Sequence, residues 1–132
     1  MFAKTALVSL LASIGLVVAG VAPVPRSTDY HGDATYYALG LGACGVDHSG
    51  KDNTANVVAL SAQIMGTGPT LTDNPYCGRK VAIRAQGKSV DATVVDKCPG
   101  CPAGDLDVSE KIFKELFGDL GIGRGNIDWT LY

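Results

Sequence analysis

Residues 94–109 read Val-Val-Asp-Lys-Cys-Pro-Gly-Cys-Pro-Ala-Gly-Asp-Leu-Asp-Val-Ser. The run that ends at Asp96 has the composition of a strand, and Cys98 and Cys101 bracket a tight turn directly after it. Asp107 follows the turn, just before a segment with helical periodicity. The spacing therefore puts two carboxylates on either side of one Cys-bearing turn, which predicts a groove that receives a ligand.

Strand-like segments, separated by Gly, Pro and polar loops, make up most of the chain around this stretch. The predicted strands cover residues 33–39, 57–65, 80–85, 88–96 and 127–132. Gln86 and Gly87 are typical of a two-residue hairpin connection. Because strands and helices do not alternate along the chain, the pattern predicts a small β-barrel with one helix packed against it.

The one predicted helix begins after Ser109, a good N-cap, and ends at Gly118. Its apolar stripe is expected to pack on the core, as is Trp129. The stripe consists of Ile112, Phe113, Leu116 and Phe117.

Asp96 ends a strand whose preceding alternate residues are apolar. Val90, Ala92 and Val94 share one face by the two-residue period of a strand. Asp96 is expected to continue that face and to stand at the rim of the core, where a charge is costly unless it serves a site.

Residues 1–20 are expected to form a signal peptide. Lys4 precedes an apolar run of about 13 residues at 6–18, whereas a membrane span needs roughly 20. Residues 21–29 are expected to be a flexible leader, and residues 30–132 the mature domain. This domain is predicted to be a secreted, extracellular monomer with no membrane attachment.

The charge pattern argues against polyanionic partners. The whole chain has a formal net charge of −2, and no run of five basic residues occurs in it. Nucleic acid and anionic membranes are therefore not expected as partners. A neutral target suits an acidic, Gly-rich domain better.

The four cysteines favour two disulfides in an oxidising compartment. Cys98 and Cys101 are close enough to pair, which leaves Cys44 with Cys77. A zinc site of four thiolates is the rival, but only one Cys-x-x-Cys pair exists. A thioredoxin-like redox motif should open a helix, and prolines interrupt the chain here. No metal or cofactor is expected.

Four short motifs occur in a recognisable order. They are Gly-Asp-Ala-Thr-Tyr at 32–36, Val-Val-Asp-Lys-Cys-Pro at 94–99, Leu-Asp-Val-Ser at 106–109 and Asn-Ile-Asp-Trp at 126–129. With them the chain resembles the double-psi β-barrel superfamily over residues 32–132. Within it the chain is similar to small secreted expansin-like proteins of fungi, the loosenins. Expansins, barwin-type proteins and the rare lipoprotein A domain are related.

The resemblance implies a mainly β fold, a six-stranded double-psi β-barrel with one short α-helix, two disulfides and an open groove. It implies that Asp107 is the key polar group of that groove, with Asp96 and Thr35 beside it. Barwin-like proteins join the cysteines that match Cys44 and Cys77, which agrees with the pairing above.

One departure from the expansin pattern affects sugar binding. The aromatic residue that expansins often carry two positions after the first acid is Cys98 here. Stacking on sugar rings would then rely on Tyr36, Tyr37 or Tyr76. Selectivity for one polymer is expected to reside in loops 40–54 and 66–78.

Hydrolysis of a glycosidic bond normally needs an acid and a second carboxylate. Related hydrolases carry their base near the positions of residues 36–38, where this chain has Tyr-Tyr-Ala. Asp33 precedes Thr35 and is expected to point elsewhere. The resemblance therefore implies a protein that binds cellulose, chitin or a peptidoglycan-like polymer of the cell wall and loosens it without cutting.

Two other functions remain open. A lytic transglycosylase needs one acid, which Asp107 would supply, and a barwin-like defence protein or protease inhibitor needs none. The two aspartates also have structural interpretations. Asp107 would interact with the N–H groups at the helix start, and Asp96 would hold the turn at 98–101 through N–H bonds.

Overall fold

The structure is a computed structural model that describes residue 15 and residues 27–66 and 73–132. Apart from residue 15, the predicted signal peptide lies outside these residues, and so does most of the predicted leader. The first strand begins at Thr28, two residues before the predicted start of the domain. Within the described ranges, none of the helices has the length and apolar character needed to cross a membrane.

Six strands of the described chain close into a barrel, in the order β1-β5-β2-β4-β3-β6. Two neighbouring pairs are parallel, β1 with β5 and β2 with β4, and the others are antiparallel. The predicted mainly β barrel is therefore confirmed. The strands are β1 (Thr28–Tyr36), β2 (Val57–Ser61), β3 (Lys80–Ala85), β4 (Lys88–Cys98), β5 (Leu106–Val108) and β6 (Gly125–Leu131).

The main helix, α2 (Glu110–Phe117), forms as predicted. The Ser109 hydroxyl accepts a hydrogen bond from the Ile112 N–H, and the Gly118 N–H caps the other end by donating to the Lys114 carbonyl. A single-turn helix, α1 (Ala62–Met65), and a 3-10 helix at Leu120–Ile122 were not expected. Both are too short to leave a periodic pattern in the sequence.

The predicted strand at 57–65 is correct only as far as Ser61. The Ser61 hydroxyl accepts a hydrogen bond of 3.0 Å from the Gln63 N–H and so caps α1. It also donates one of 2.6 Å to the Cys101 carbonyl. This side chain therefore ends β2 and ties it to the Cys-bearing turn.

The hairpin between β3 and β4 is confirmed. Gln86 and Gly87 have φ values of +54° and +72°. Positive φ at both central residues is the mark of a type I′ turn, whose twist matches the flanking strands.

Asp96 lies on the opposite face from the one predicted. The β2–β4 pairing shifts register between Val58 and Ala59, so that Val58 pairs with Val94 but Ala59 pairs with Asp96. Val95 is therefore an extra residue in β4, and a bulge of this kind reverses the alternation of side chains. The interpretation that Asp96 continues the inner face at the rim of the core is wrong, and the carboxylate faces outward.

The barrel interior is filled by apolar side chains, as the strand pattern requires. Trp129 is fully buried, stacks on Tyr30 with ring centroids 4.3 Å apart, and donates a hydrogen bond of 2.8 Å to the Gly104 carbonyl. The stripe of α2 closes one side, where Ile112 and Phe113 are fully buried. These residues are core, as predicted.

Both predicted disulfides are present. Cys44 is joined to Cys77, and Cys98 is joined to Cys101. All four thiols are thereby used, so neither a zinc site of four thiolates nor a free thiol pair fits this structure. Structural disulfides suit an oxidising compartment. Secretion itself stays a prediction.

Candidate functional site

Four residues on neighbouring strands form a row across the outside of the barrel. Thr35 on β1 pairs with Asp107 on β5, Asp107 pairs with Ala59 on β2, and Ala59 pairs with Asp96 on β4. Paired residues of adjacent strands share a face, and the neighbours of Thr35, Ala59 and Asp107 along their strands lie in or against the main core. We call these four residues the aspartate row. The fold thus brings together both aspartates and the threonine that the sequence singled out.

Asp107 holds the middle of this row in a partly desolvated position. Its carboxylate accepts a hydrogen bond of 3.1 Å from the Thr35 hydroxyl. Burial raises the pKa of Asp107 and the negative charge of Asp96 adds to the rise, while the Thr35 bond and the Arg124 charge oppose it. The Asp107 carboxyl group therefore keeps its proton to a higher pH than an exposed aspartate does.

Tyr37 interacts with both aspartates of the row. Burial is the main cause that raises the pKa of the Tyr37 hydroxyl, followed by the charges of Asp96 and Asp107. The interaction of the hydroxyl with the Asp96 carboxylate adds to this rise. A phenol that keeps its proton remains available as a hydrogen-bond donor beside the row.

Asp96 anchors the loop after β1. Its Oδ1 accepts hydrogen bonds of 2.8 Å from the Ala43 N–H and of 2.8 Å from the Lys97 N–H. The alternative in which Asp96 holds the turn at 98–101 is not what the structure has, since the bonds outside its own strand go to the loop. The turn is closed by its own disulfide and by a bond from the Cys101 N–H to the Cys98 carbonyl.

The structural interpretation of Asp107 is also not borne out by its contacts. The start of α2 is capped by the hydroxyl of Ser109, and the hydrogen bond of the Asp107 carboxylate goes to Thr35 on another strand. Asp107 is thus oriented along the row and not along the helix axis.

A second polar cluster lies on the same outer face of β1 and β5. Arg124 Nη1 is 3.3 Å from Asp33 Oδ2 and 3.3 Å from Asp105 Oδ2. Asp105 Oδ1 also accepts a hydrogen bond of 2.9 Å from the Asp33 N–H. Asp33 was expected to point away from Thr35, but residues two apart on a strand share a face. That spacing, repeated in Asp105 and Asp107, was the signal by which the sequence could have revealed this cluster.

Two tyrosines proposed for sugar stacking lie elsewhere. The Tyr36 ring packs against Phe113 with centroids 4.9 Å apart, and its hydroxyl donates a hydrogen bond of 3.0 Å to the Leu120 carbonyl. Tyr76 packs against the main core, with the Arg79 guanidinium 5.4 Å from its ring centroid. Of the three candidate rings, Tyr37 is the one whose interactions join the aspartate row.

The oxygen-rich side chains of this face are also candidates for metal binding. In the ranges that the structure describes, no group of three or more His, Cys, Asp or Glu side chains is arranged to hold a metal ion. The oxygen-rich clusters on the outer face are occupied by internal hydrogen bonds and by Arg124.

No family model matches the sequence. The curated relatives include fungal allergens and a bacterial inhibitor. An "Allergen Asp f 7 homolog" of Arthroderma benhamiae is 42% identical over 96 residues, which cover 71% of this chain. The chain spans about a third of the length of the two fungal allergens it matches, at 31% and 36%.

The match to a "Papain inhibitor" of Streptomyces mobaraensis extends over both chains almost entirely. It is 34% identical over 134 residues and covers 97% of this chain and 90% of the inhibitor. The chain belongs to the double-psi β-barrel proteins of the barwin-like and rare lipoprotein A-like group. This membership agrees with the closed six-stranded barrel described above.

Solved structures of double-psi β-barrel proteins are similar in fold. The Streptomyces papain inhibitor superposes with a TM-score of 0.72 at 29% identity, covering 83% of this chain and 99% of the inhibitor. A Clavibacter michiganensis expansin superposes with a TM-score of 0.64 at 29% identity, covering 80% of this chain and 50% of the expansin. An Asp-to-Asn mutant of that expansin has been solved in complex with cellohexaose.

Proposed function

We propose that this double-psi β-barrel protein binds a polysaccharide along the aspartate row and loosens it without hydrolysis. The polysaccharide is a polymer of the cellulose, chitin or peptidoglycan type. The similarity to an expansin whose mutant binds cellohexaose supports a glycan as the ligand.

The observation that carries the proposal is the setting of Asp107. Its carboxylate is half-buried, bonded to Thr35 and close enough to Asp96 and Tyr37 to interact electrostatically. A carboxyl group with a raised pKa donates a hydrogen bond when protonated and accepts one when ionised. Such a group, flanked by a threonine and a tyrosine hydroxyl, competes with the hydrogen bonds that hold neighbouring glycan chains together.

The other carboxylates on this face support binding without hydrolysis. Asp96 Oδ1 already accepts two backbone N–H bonds. Asp33 and Asp105 are bound to Arg124. A general base must reach a water molecule with a free oxygen in suitable geometry, and these three groups are engaged by protein donors. Asp107 therefore acts alone, as a hydrogen-bonding group.

The test is a sedimentation assay on insoluble cellulose, chitin and peptidoglycan, combined with mechanical weakening of cellulose sheets. We expect Asp107→Asn to lose weakening and most binding, because amide and carboxyl differ in donor pattern but not in shape. Asp91→Asn is the matched control, since Asp91 is an exposed aspartate of β4 outside the row. Full weakening by Asp107→Asn would contradict the proposal.

The same samples distinguish loosening from cleavage. We expect no soluble sugar from any of the three polymers. Sugar release that disappears in Asp107→Asn would instead assign a lytic transglycosylase activity, with Asp107 as the acid.

A second candidate function is inhibition of a cysteine protease. It is favoured by one observation, the similarity to a papain inhibitor over 97% of this chain and 90% of that protein. The test is the inhibition constant against papain. If this activity is exerted by a surface that does not include Asp107, Asp107→Asn should inhibit as well as the natural chain does.

A further inference from the structure

We infer that the hairpin at residues 40–48 is the surface that enters the substrate cleft of a papain-like cysteine protease. This inference rests on the second candidate function and assigns it to a part of the molecule. It separates inhibition from the glycan-binding aspartate row. We call residues 40–48 the apolar hairpin.

The apolar hairpin is a compact, hydrogen-bonded loop that follows β1. The Gly42 N–H donates to the Val46 carbonyl at 3.0 Å, and Leu41 forms an antiparallel bridge with Asp47. At its base the His48 N–H donates to the Gly40 carbonyl at 2.9 Å. The loop thus has a defined backbone conformation before it meets any partner.

The apolar hairpin is also fastened to the barrel at three adjacent positions. The Cys44–Cys77 disulfide holds its tip, and the Cys44 N–H donates to the Val95 carbonyl at 3.2 Å. The Ala43 N–H is bound by Asp96 at 2.8 Å. Gly42 lies so close to β4 that a Cβ would be 2.3 Å from the Val95 oxygen.

Although these contacts hold the apolar hairpin against the barrel, it exposes large apolar side chains. Leu41 is 74% exposed and Val46 is 50% exposed. The described ranges contain four large hydrophobic side chains with such exposure, and two of them lie within these nine residues. Single exposed apolar residues are common, but two on one ordered hairpin form a small apolar contact surface.

These features fit a protease cleft better than a glycan. Aliphatic side chains offer no hydrogen bonds to hydroxyl groups, whereas an apolar pocket in a concave cleft buries them fully. Because the loop is already ordered, binding costs little conformational entropy. Protease–inhibitor complexes characteristically form with such small backbone changes.

The experiment measures inhibition of papain by the natural chain and by three variants. We expect Leu41→Ser and Val46→Ser each to raise the inhibition constant at least tenfold. Ile122→Ser is the matched control, since Ile122 is 53% exposed on the 3-10 helix, and it should inhibit like the natural chain. Thermal unfolding of each variant verifies that it is folded.

Two outcomes would overturn the inference in distinguishable ways. If the natural chain does not inhibit papain, the second candidate function fails and the inference fails with it. If the natural chain inhibits and both hairpin variants inhibit equally well, inhibition stands but is exerted by another surface.

Discussion

Asp107 is a carboxyl group that the fold keeps partly out of water on the outer side of a strand. Burial and the charge of Asp96 raise its pKa, and the Thr35 hydroxyl opposes the rise. Groups held in such settings are often functional, because their ionisation is costly for the folded chain. The raised pKa of Asp107 therefore makes part of the free energy of unfolding depend on pH.

Replacing Asp107 with Asn should remove the part of the pH dependence of stability that this carboxyl group causes. Since the pKa of Asp107 is raised in the folded chain, the unfolded chain loses this proton first as pH increases, and folding becomes less favourable until the folded group ionises. Asn does not titrate. Thermal unfolding at pH 3 and pH 7 should show the variant gaining stability relative to the natural chain as pH rises. A variant that instead loses stability relative to the natural chain between pH 3 and pH 7 would contradict the raised pKa.

Thr35→Val should raise the pKa of Asp107 further. The variant removes the hydroxyl that stabilises the ionised carboxylate, and valine preserves the shape and strand preference of threonine. The measurement is an NMR titration of the Asp107 side-chain carbon. Thr93→Val is the control, because the Thr93 hydroxyl binds Lys80. An unchanged or lower pKa in Thr35→Val would show that this hydrogen bond does not act on Asp107.

At the scale of elements, the sequence predicted α2 and at least part of five of the six strands, but not how β4 bends. The hairpin turn and the cap at Ser109 follow from local chemistry, and both are confirmed. The bulge at Val95 does not, since it depends on how β2 pairs with β4. β5 was recognised only as a motif, because three residues are too few to show alternation. The bulge turns Asp96 outward. The sequence therefore predicted which residues form the site, but not the face on which Asp96 lies.

The contact between the apolar hairpin and β4 can be tested at two glycines. Gly42→Ala should lower the free energy of unfolding by about 1–3 kcal/mol, because its Cβ would meet backbone and not a mobile side chain. Gly40→Ala is the control, since a Cβ there has nothing within 4 Å. Urea unfolding measures both. Equal stability of the two variants would show that the hairpin does not lie tightly on the Val95 carbonyl.

At the scale of the whole molecule, the strand pattern predicted a small β-barrel, and the order of the motifs predicted its six-stranded double-psi form. Strand composition indicates a barrel, but the parallel pairs β1–β5 and β2–β4 join segments far apart in sequence. Those two pairs bring Thr35 to Asp107 and Asp96 to Ala59. Local sequence carries little information about such long-range pairing, so the row emerges only from the assembled barrel.

The two disulfides should contribute unequally to global stability. Cys44 and Cys77 are separated by 33 residues, and Cys98 and Cys101 by 3. Loop-closure entropy gives a loss of about 4 kcal/mol for removing the first bridge and about 2 kcal/mol for the second. Paired Cys-to-Ser variants, compared by urea unfolding, should show this order. The reverse order would mean that the short bridge stabilises the native turn itself.

The most direct measurement is amide chemical-shift mapping during titration with cellohexaose. If a glycan lies along the aspartate row, the largest shifts will fall on Thr35, Tyr37, Ala59, Asp96 and Asp107, and Asp107→Asn will weaken them. Shifts confined to the apolar hairpin or to β3 and β6, or none at millimolar sugar, would contradict the proposal that this face binds polysaccharide.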